Sequence, residues 1–103
     1  MSFRVERWNE EFKPDERELR KRMESDGYSV FRWSDSPGTT YGTHNHPEDQ
    51  SHWILSGALE LTVDGESYVL QAGDRDFLPA YTDHAARVAS CEPVVYLIGA
   101  KKD

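Results

Sequence analysis

From residue 28 onward the apolar positions recur in short runs separated by turn residues. Tyr28–Trp33 is aromatic and β-branched, and Ser34–Gly38 (SDSPG) reads as a turn. Thr39–His46 is the next strand, and Pro47–Asp49 is read as a turn that folds it back on Gln50–Ser56. Ala58–Val63 and Glu66–Leu70 follow, broken by Gly57 and by Asp64-Gly65. An Asp-Gly pair between two alternating runs predicts a tight hairpin. Asp76–Leu78, Ala85–Ala89 and Val94–Gly99 complete the series. Strands this short and this closely spaced predict an all-β sandwich or barrel.

The pattern before residue 28 differs. Residues 13–27 read KPDERELRKRMESDG, with Pro14 suited to a first helical position and Asp15 and Glu16 to the positive end of a helix dipole. Leu19 and Met23, four apart, make one narrow apolar stripe, and Gly27 is a natural stop. This predicts a short helix packed through Phe12, Leu19 and Met23. The chain divides into an N-terminal arm and helix, 1–27, and a single β domain, 28–103. Two strands, around Trp53-Ile54-Leu55 and Val94-Val95-Tyr96-Leu97-Ile98, are apolar on both faces. Such strands need cover on both sides. The cover is the helix or a second subunit, and the favoured expectation is a homodimer.

The chain has 103 residues, enough for one compact domain. Its net charge is −7, with seven Lys/Arg and eight Asp/Glu in residues 1–27 and five against eleven in the remainder. That argues against a nucleic-acid or anionic-membrane partner, which would call for a basic face. One cysteine, Cys91, excludes an intrachain disulfide, and with no signal peptide or long apolar run the expected location is the cytoplasm.

Three of the four histidines fall in nine residues: His44, His46 and His52. Alternate side chains of a strand share a face, so His44 and His46 point the same way, and Gln50, His52 and Ile54 share a face of the next strand. Two imidazoles on one strand are a start for a metal site. A further ligand must come from elsewhere, and His84 is the other histidine.

The stretch 42–57 resembles the first motif of the cupins in His44, His46, Gln50 and Gly57. The stretch 73–84 resembles the second in Gly73, Pro79 and His84. The resemblance implies a cupin-type jelly-roll barrel of two packed antiparallel sheets. It also implies one divalent metal ion (zinc, iron, nickel, manganese or copper) held by His44, His46, Gln50 and His84. Gln50 stands where many cupins have Glu, which leaves the cation's charge uncompensated and removes a carboxylate base. Tyr81 occupies a place where the second motif commonly has Gly, and either caps the cavity mouth or lies on the surface. Glu48 and Asp49 are expected to be solvated. His52 has no fixed family role; facing the cavity, it is the candidate for proton transfer or a hydrogen-bonded wall residue. Trp33 and Tyr81 are candidates for the substrate pocket, although cores and interfaces use aromatic residues equally.

The family implies several functions. The first expectation is a metal-dependent enzyme of oxygenase, isomerase or lyase type acting on a small molecule, a sugar acid among the possibilities. Arg32, Arg75 and Arg87 are the arginines of the barrel that could meet an anionic substrate. The alternative is a non-catalytic cupin that binds a metal or small ligand for sensing or storage.

Overall fold

The computed structural model describes residues 2–101; Met1, Lys102 and Asp103 lie outside the described residues. The elements run β1 (Arg4–Glu6), α1 (Glu16–Ser25), β2 (Ser29–Asp35), β3 (Thr40–His44), β4 (Asp49–Ser56), β5 (Ala58–Val63), β6 (Glu66–Gln71), β7 (Arg75–Phe77), β8 (His84–Val88) and β9 (Val94–Lys101). They form two antiparallel sheets, one in the order β1-β7-β4-β9-β2 and the other β3-β8-β5-β6. This is the expected all-β jelly roll with one short helix. Between the sheets lies a core of Ile54, Leu59, Leu61, Leu70, Val88, Val94 and Tyr96.

The Asp64-Gly65 hairpin forms as its chemistry requires. β5 and β6 pair through Val63↔Glu66, and Asp64 and Gly65 take φ of 53° and 79°. Positive φ at both central residues matches the right-handed twist of the flanking strands.

The other expected hairpin does not exist. β3 pairs with β8, whereas β4 pairs with β9 and β7 in the opposite sheet. The residues around Pro47 therefore cross between sheets. Side-chain patterning explains the choice. Apolar on both faces, β4 takes a central place beneath the helix, while β3, largely exposed, takes a sheet edge.

Three details of the N-terminal region also differ from expectation. Arg4–Glu6 is a strand on β7, not a free arm. Asp15 caps the helix by accepting from the Glu18 amide at 3.0 Å, so Pro14 lies one residue before the cap and not at the first helical position. An aspartate carboxylate can satisfy that free N–H and a proline ring cannot. Phe12 is 59% exposed, its ring edge-on to Trp8 and not under the helix. Gly27 ends the helix as predicted, with φ of 99°.

The helix supplies the outer cover. Leu19 and Met23 are buried with Tyr28, Trp53 and Leu97, so a second core lies on the outer face of the five-stranded sheet. Gly99 permits the close approach, since a Cβ there would meet Met23 Cε at 2.7 Å. The two-sided strands thus find their cover within the chain, which removes the reason the strand pattern offered for a second subunit at this face.

Candidate metal centre

His44 and His84 face each other across the β3–β8 ladder. His46 lies just beyond β3, in the crossover between sheets. Two contacts hold that crossover against the loop before β8: the Tyr81 amide donates to the His46 carbonyl at 2.7 Å, and Asn45 Nδ2 donates to Asp83 Oδ1 at 2.8 Å. The three rings consequently gather, with centroid separations of 4.8 Å (His44–His46), 4.3 Å (His44–His84) and 5.1 Å (His46–His84). One ligand nitrogen from each lies within 4.8 Å of the others.

The hydrogen bonds select which nitrogen is free. His44 Nδ1 donates to the Gly42 carbonyl at 2.6 Å, and His84 Nδ1 donates to the Thr82 carbonyl at 2.9 Å. Because carbonyls only accept, Nδ1 carries the proton and Nε2 keeps its lone pair. Burial lowers the pKa of His46, and the neighbouring His44 and His52 lower it further against an opposing pull from Glu48. Burial likewise lowers that of His84, outweighing the Thr82 hydrogen bond, with the surrounding histidines adding to the fall. Neutral rings are the form that binds a metal. Three gathered imidazoles, two of them with Nε2 left free by the Nδ1 hydrogen bonds, are a donor set that fits a divalent first-row ion.

Gln50 lines the same cavity and is fixed at its backbone by paired 2.8 Å hydrogen bonds with Leu78. Its amide oxygen is the fourth available donor. Asp49, expected to be solvated, is instead buried at the start of β4 and accepts from the Ala80 amide at 2.8 Å. An acceptor was needed there for an amide turned inward at the loop.

His52 is buried, faces the cavity, and is bound twice by Asp76. Its backbone amide donates to Asp76 Oδ1 and its Nδ1 to Asp76 Oδ2 at 2.8 Å. Burial of the ring lowers its pKa, but the Asp76 charge and hydrogen bond outweigh it, and the net shift is upward. Asp76 is fully buried and was not singled out from the sequence. Strand alternation carried the signal, because between outward-facing Arg75 and Phe77 it must point in.

The cavity encloses about 330 Å³. Phe31, Trp33 and Tyr41 line its mouth, and Leu59, Leu61 and Ile98 line its apolar interior. Tyr81 is 70% exposed and is not among the lining residues; its φ of 63° explains why glycine suits that turn. A second carboxylate escaped the sequence reading. Asp35, assigned to a turn, is a buried β2 residue that accepts from Trp33 Nε1 (3.0 Å), Tyr41 Oη (2.6 Å) and Tyr96 Oη (2.8 Å). The three arginines lie elsewhere. Arg32 pairs with Glu16, Arg87 pairs with Glu60, and Arg75 is buried on the outer face beside Trp53, bonded to Ser51.

No helix among the described residues is long and apolar enough to cross a membrane. Residues 31–98 match the family profile described as "Cupin domain". The chain is similar to quercetin 2,3-dioxygenase of Bacillus subtilis, at 36% identity over 67% of this chain and 21% of the dioxygenase. Among solved structures it resembles a DMSP lyase from Ruegeria pomeroyi (28% identity, TM-score 0.66, covering 76% of this chain and 40% of the lyase). It also resembles the oxalate decarboxylase of Bacillus subtilis, whose structure is described with Mn(II) centres (28% identity, TM-score 0.64, covering 74% of this chain and 22% of that one). The chain thus spans about a fifth of the dioxygenase and of the decarboxylase and two fifths of the lyase. Two stacked antiparallel sheets, histidines gathered from the two motif segments, and the match over residues 31–98 lead to one conclusion: the chain belongs to the cupin domain family.

Proposed function

We propose that this cupin is a metal-dependent enzyme acting on a small organic molecule, of oxygenase, isomerase or lyase type. The observation that carries the reading is the gathering of His44, His46 and His84 at one end of a cavity with an apolar interior. With Gln50 these residues would hold one divalent ion. Such an ion supplies Lewis acidity or, where it is redox-active, oxygen activation. The relatives support the reading: a dioxygenase, a lyase, and a decarboxylase described with Mn(II) centres.

The chain's own part is positioning and proton handling. Gly42 and Thr82 hold two imidazoles in one tautomer. Asp76 holds His52 Nδ1, which leaves His52 Nε2 as the atom to carry a proton to or from a bound molecule. Gln50 contributes no carboxylate, so His52 is the residue assigned to proton transfer.

The test is metal content by mass spectrometry on protein made without an affinity tag, beside His46→Ala and His84→Ala. Near-stoichiometric metal in the parent, lost in both variants, is expected, and the ion found directs the assays. No metal even after reconstitution would sink the metalloenzyme reading. His52→Ala is expected to keep the metal and lose turnover. A parent that holds metal but turns over no member of a broad substrate panel would instead be the non-catalytic binder.

A further inference from the structure

The mouth of the cavity lies between the edge strands β2 and β3 of the two sheets. Three aromatic side chains stand there partly in water: Phe31 at 49% exposure, Trp33 at 47% and Tyr41 at 37%. Phe31 and Trp33 meet edge to face at 6.4 Å. They are not core residues, and their number and adjacency exceed the scattered exposed apolar groups of an ordinary surface. Trp53, by contrast, is buried under the helix, and Phe77 stacks on Arg4 and Arg75.

The rim is held in shape. Asp35 on β2 receives Trp33 Nε1, Tyr41 Oη from β3 and Tyr96 Oη from β9, so one carboxylate ties together two strands of one sheet and the edge of the other. These bonds fix the indole and phenol and occupy both Asp35 oxygens. Among the described residues, the cavity lining includes no lysine, arginine, aspartate or glutamate. Its polar groups are the histidines, Gln50 and the aromatic O–H and N–H groups. A volume of about 330 Å³ is at the small end of ligand pockets.

We infer that the occupant is a planar, uncharged aromatic small molecule, clasped by Phe31, Trp33 and Tyr41. In the metal-free protein an anionic sugar acid would find no lysine or arginine here, and a carboxylate buried without such a partner is disfavoured. Stacking and edge-to-face contacts with the Phe31, Trp33 and Tyr41 rings would favour another aromatic ring over an aliphatic one. The inference deepens the small-molecule reading of the same cavity and does not depend on the metal.

The experiment is calorimetric titration of the full chain with three probes: 2-naphthol, 2-naphthoate and saturated decahydro-2-naphthol. Each is run on protein as purified and after dialysis against a chelator, with circular dichroism confirming the fold. In the chelated protein 2-naphthol is expected to bind about tenfold or more tighter than the other two. Trp33→Ala and Tyr41→Ala are expected to weaken it by about tenfold each. Should either variant fail to fold, Phe31→Ala replaces it. Equal or tighter binding of the naphthoate or the saturated alcohol overturns the inference, as does undiminished binding by the rim variants. Sedimentation gives a further overturning result: a dimer that Trp33→Ala converts to monomer would make the rim an interface between copies. Metal without naphthol binding defeats this inference alone, and naphthol binding without metal defeats the metalloenzyme reading alone.

Discussion

Tyr81, whose phenol could have capped the cavity mouth or lain on the surface, lies on the surface. It stands where glycine is common, and its φ of 63° costs an L-residue about 1–2 kcal/mol relative to glycine's freedom. Its amide is needed at the His46 carbonyl, and any residue supplies that. Tyr81 is 70% exposed, so packing of its ring offsets little of the strain. Tyr81→Gly is therefore expected to raise stability by up to about 1 kcal/mol, after the entropy of a more flexible unfolded chain is set against it. Metal content should be unchanged; chemical denaturation with matched mass spectrometry checks both, and a loss of stability would show that the ring does more than occupy a turn. The histidines were easier to place. The two-residue spacing pointed to His44 and His46 as neighbours, although β3 ends at His44 and it is the crossover's contacts with the loop before β8, not strand alternation, that bring His46 in. Asp35 and Asp76 were harder, because a carboxylate in sequence reads as solvent-facing until its donors are known.

Helix α1 was legible from its Leu19/Met23 stripe and its stop at Gly27, since each rests on a local rule, while its start fell at the Asp15 cap and not at Pro14. Its role was not legible. The same two apolar residues would serve a loosely attached flap, yet here Leu19 and Met23 are almost wholly buried against Trp53, Leu97 and Tyr28. Leu19→Ala should accordingly cost about 2–5 kcal/mol. Urea unfolding measures it, and a cost below about 1 kcal/mol would mark the helix as a detachable flap. The β3–β4 connection carries the opposite lesson. Pro47 and its neighbours are turn-forming in either topology, so local chemistry could not distinguish a hairpin from a crossover. The face shared by Gln50 and His52 survived the error, because alternation is counted along β4 itself.

The two sheets meet at the cavity mouth through a phenol–carboxylate cluster, and this couples the whole molecule to alkaline pH. Burial raises the Tyr96 pKa, and Asp35 raises it further; Asp35 also raises that of Tyr41, and burial that of Tyr28. Each phenol is harder to ionise folded than unfolded. Their stabilisation is then fully present below the unfolded value of about 10 and falls as pH climbs toward the folded values. Unfolding free energy should decline steeply above about pH 10, and Tyr96→Phe should flatten that decline while costing stability at neutral pH. Denaturant titrations from neutral to strongly alkaline pH read the slope, and an unchanged slope in the variant would remove Tyr96 from the account. The net charge of −7 grows more negative over the same range and adds repulsion, which is why the comparison must be between parent and variant.

Residue order alone settled the run of short strands after residue 28, the Asp64-Gly65 hairpin and the helix, because each follows from periodicity or from a φ that few residues tolerate; it missed Arg4–Glu6 and carried β3 two residues too far, to His46. The resemblance to cupins added the expected ligand set. Pairing was beyond it: which sheet each strand joins depends on burial summed over both faces, and that sum exists only once all strands are placed. So the arrival of His84 opposite His44, the buried anchors Asp35 and Asp76, and the aromatic rim between two sheet edges are products of packing. They join residues far apart in the chain, and no local rule relates such positions.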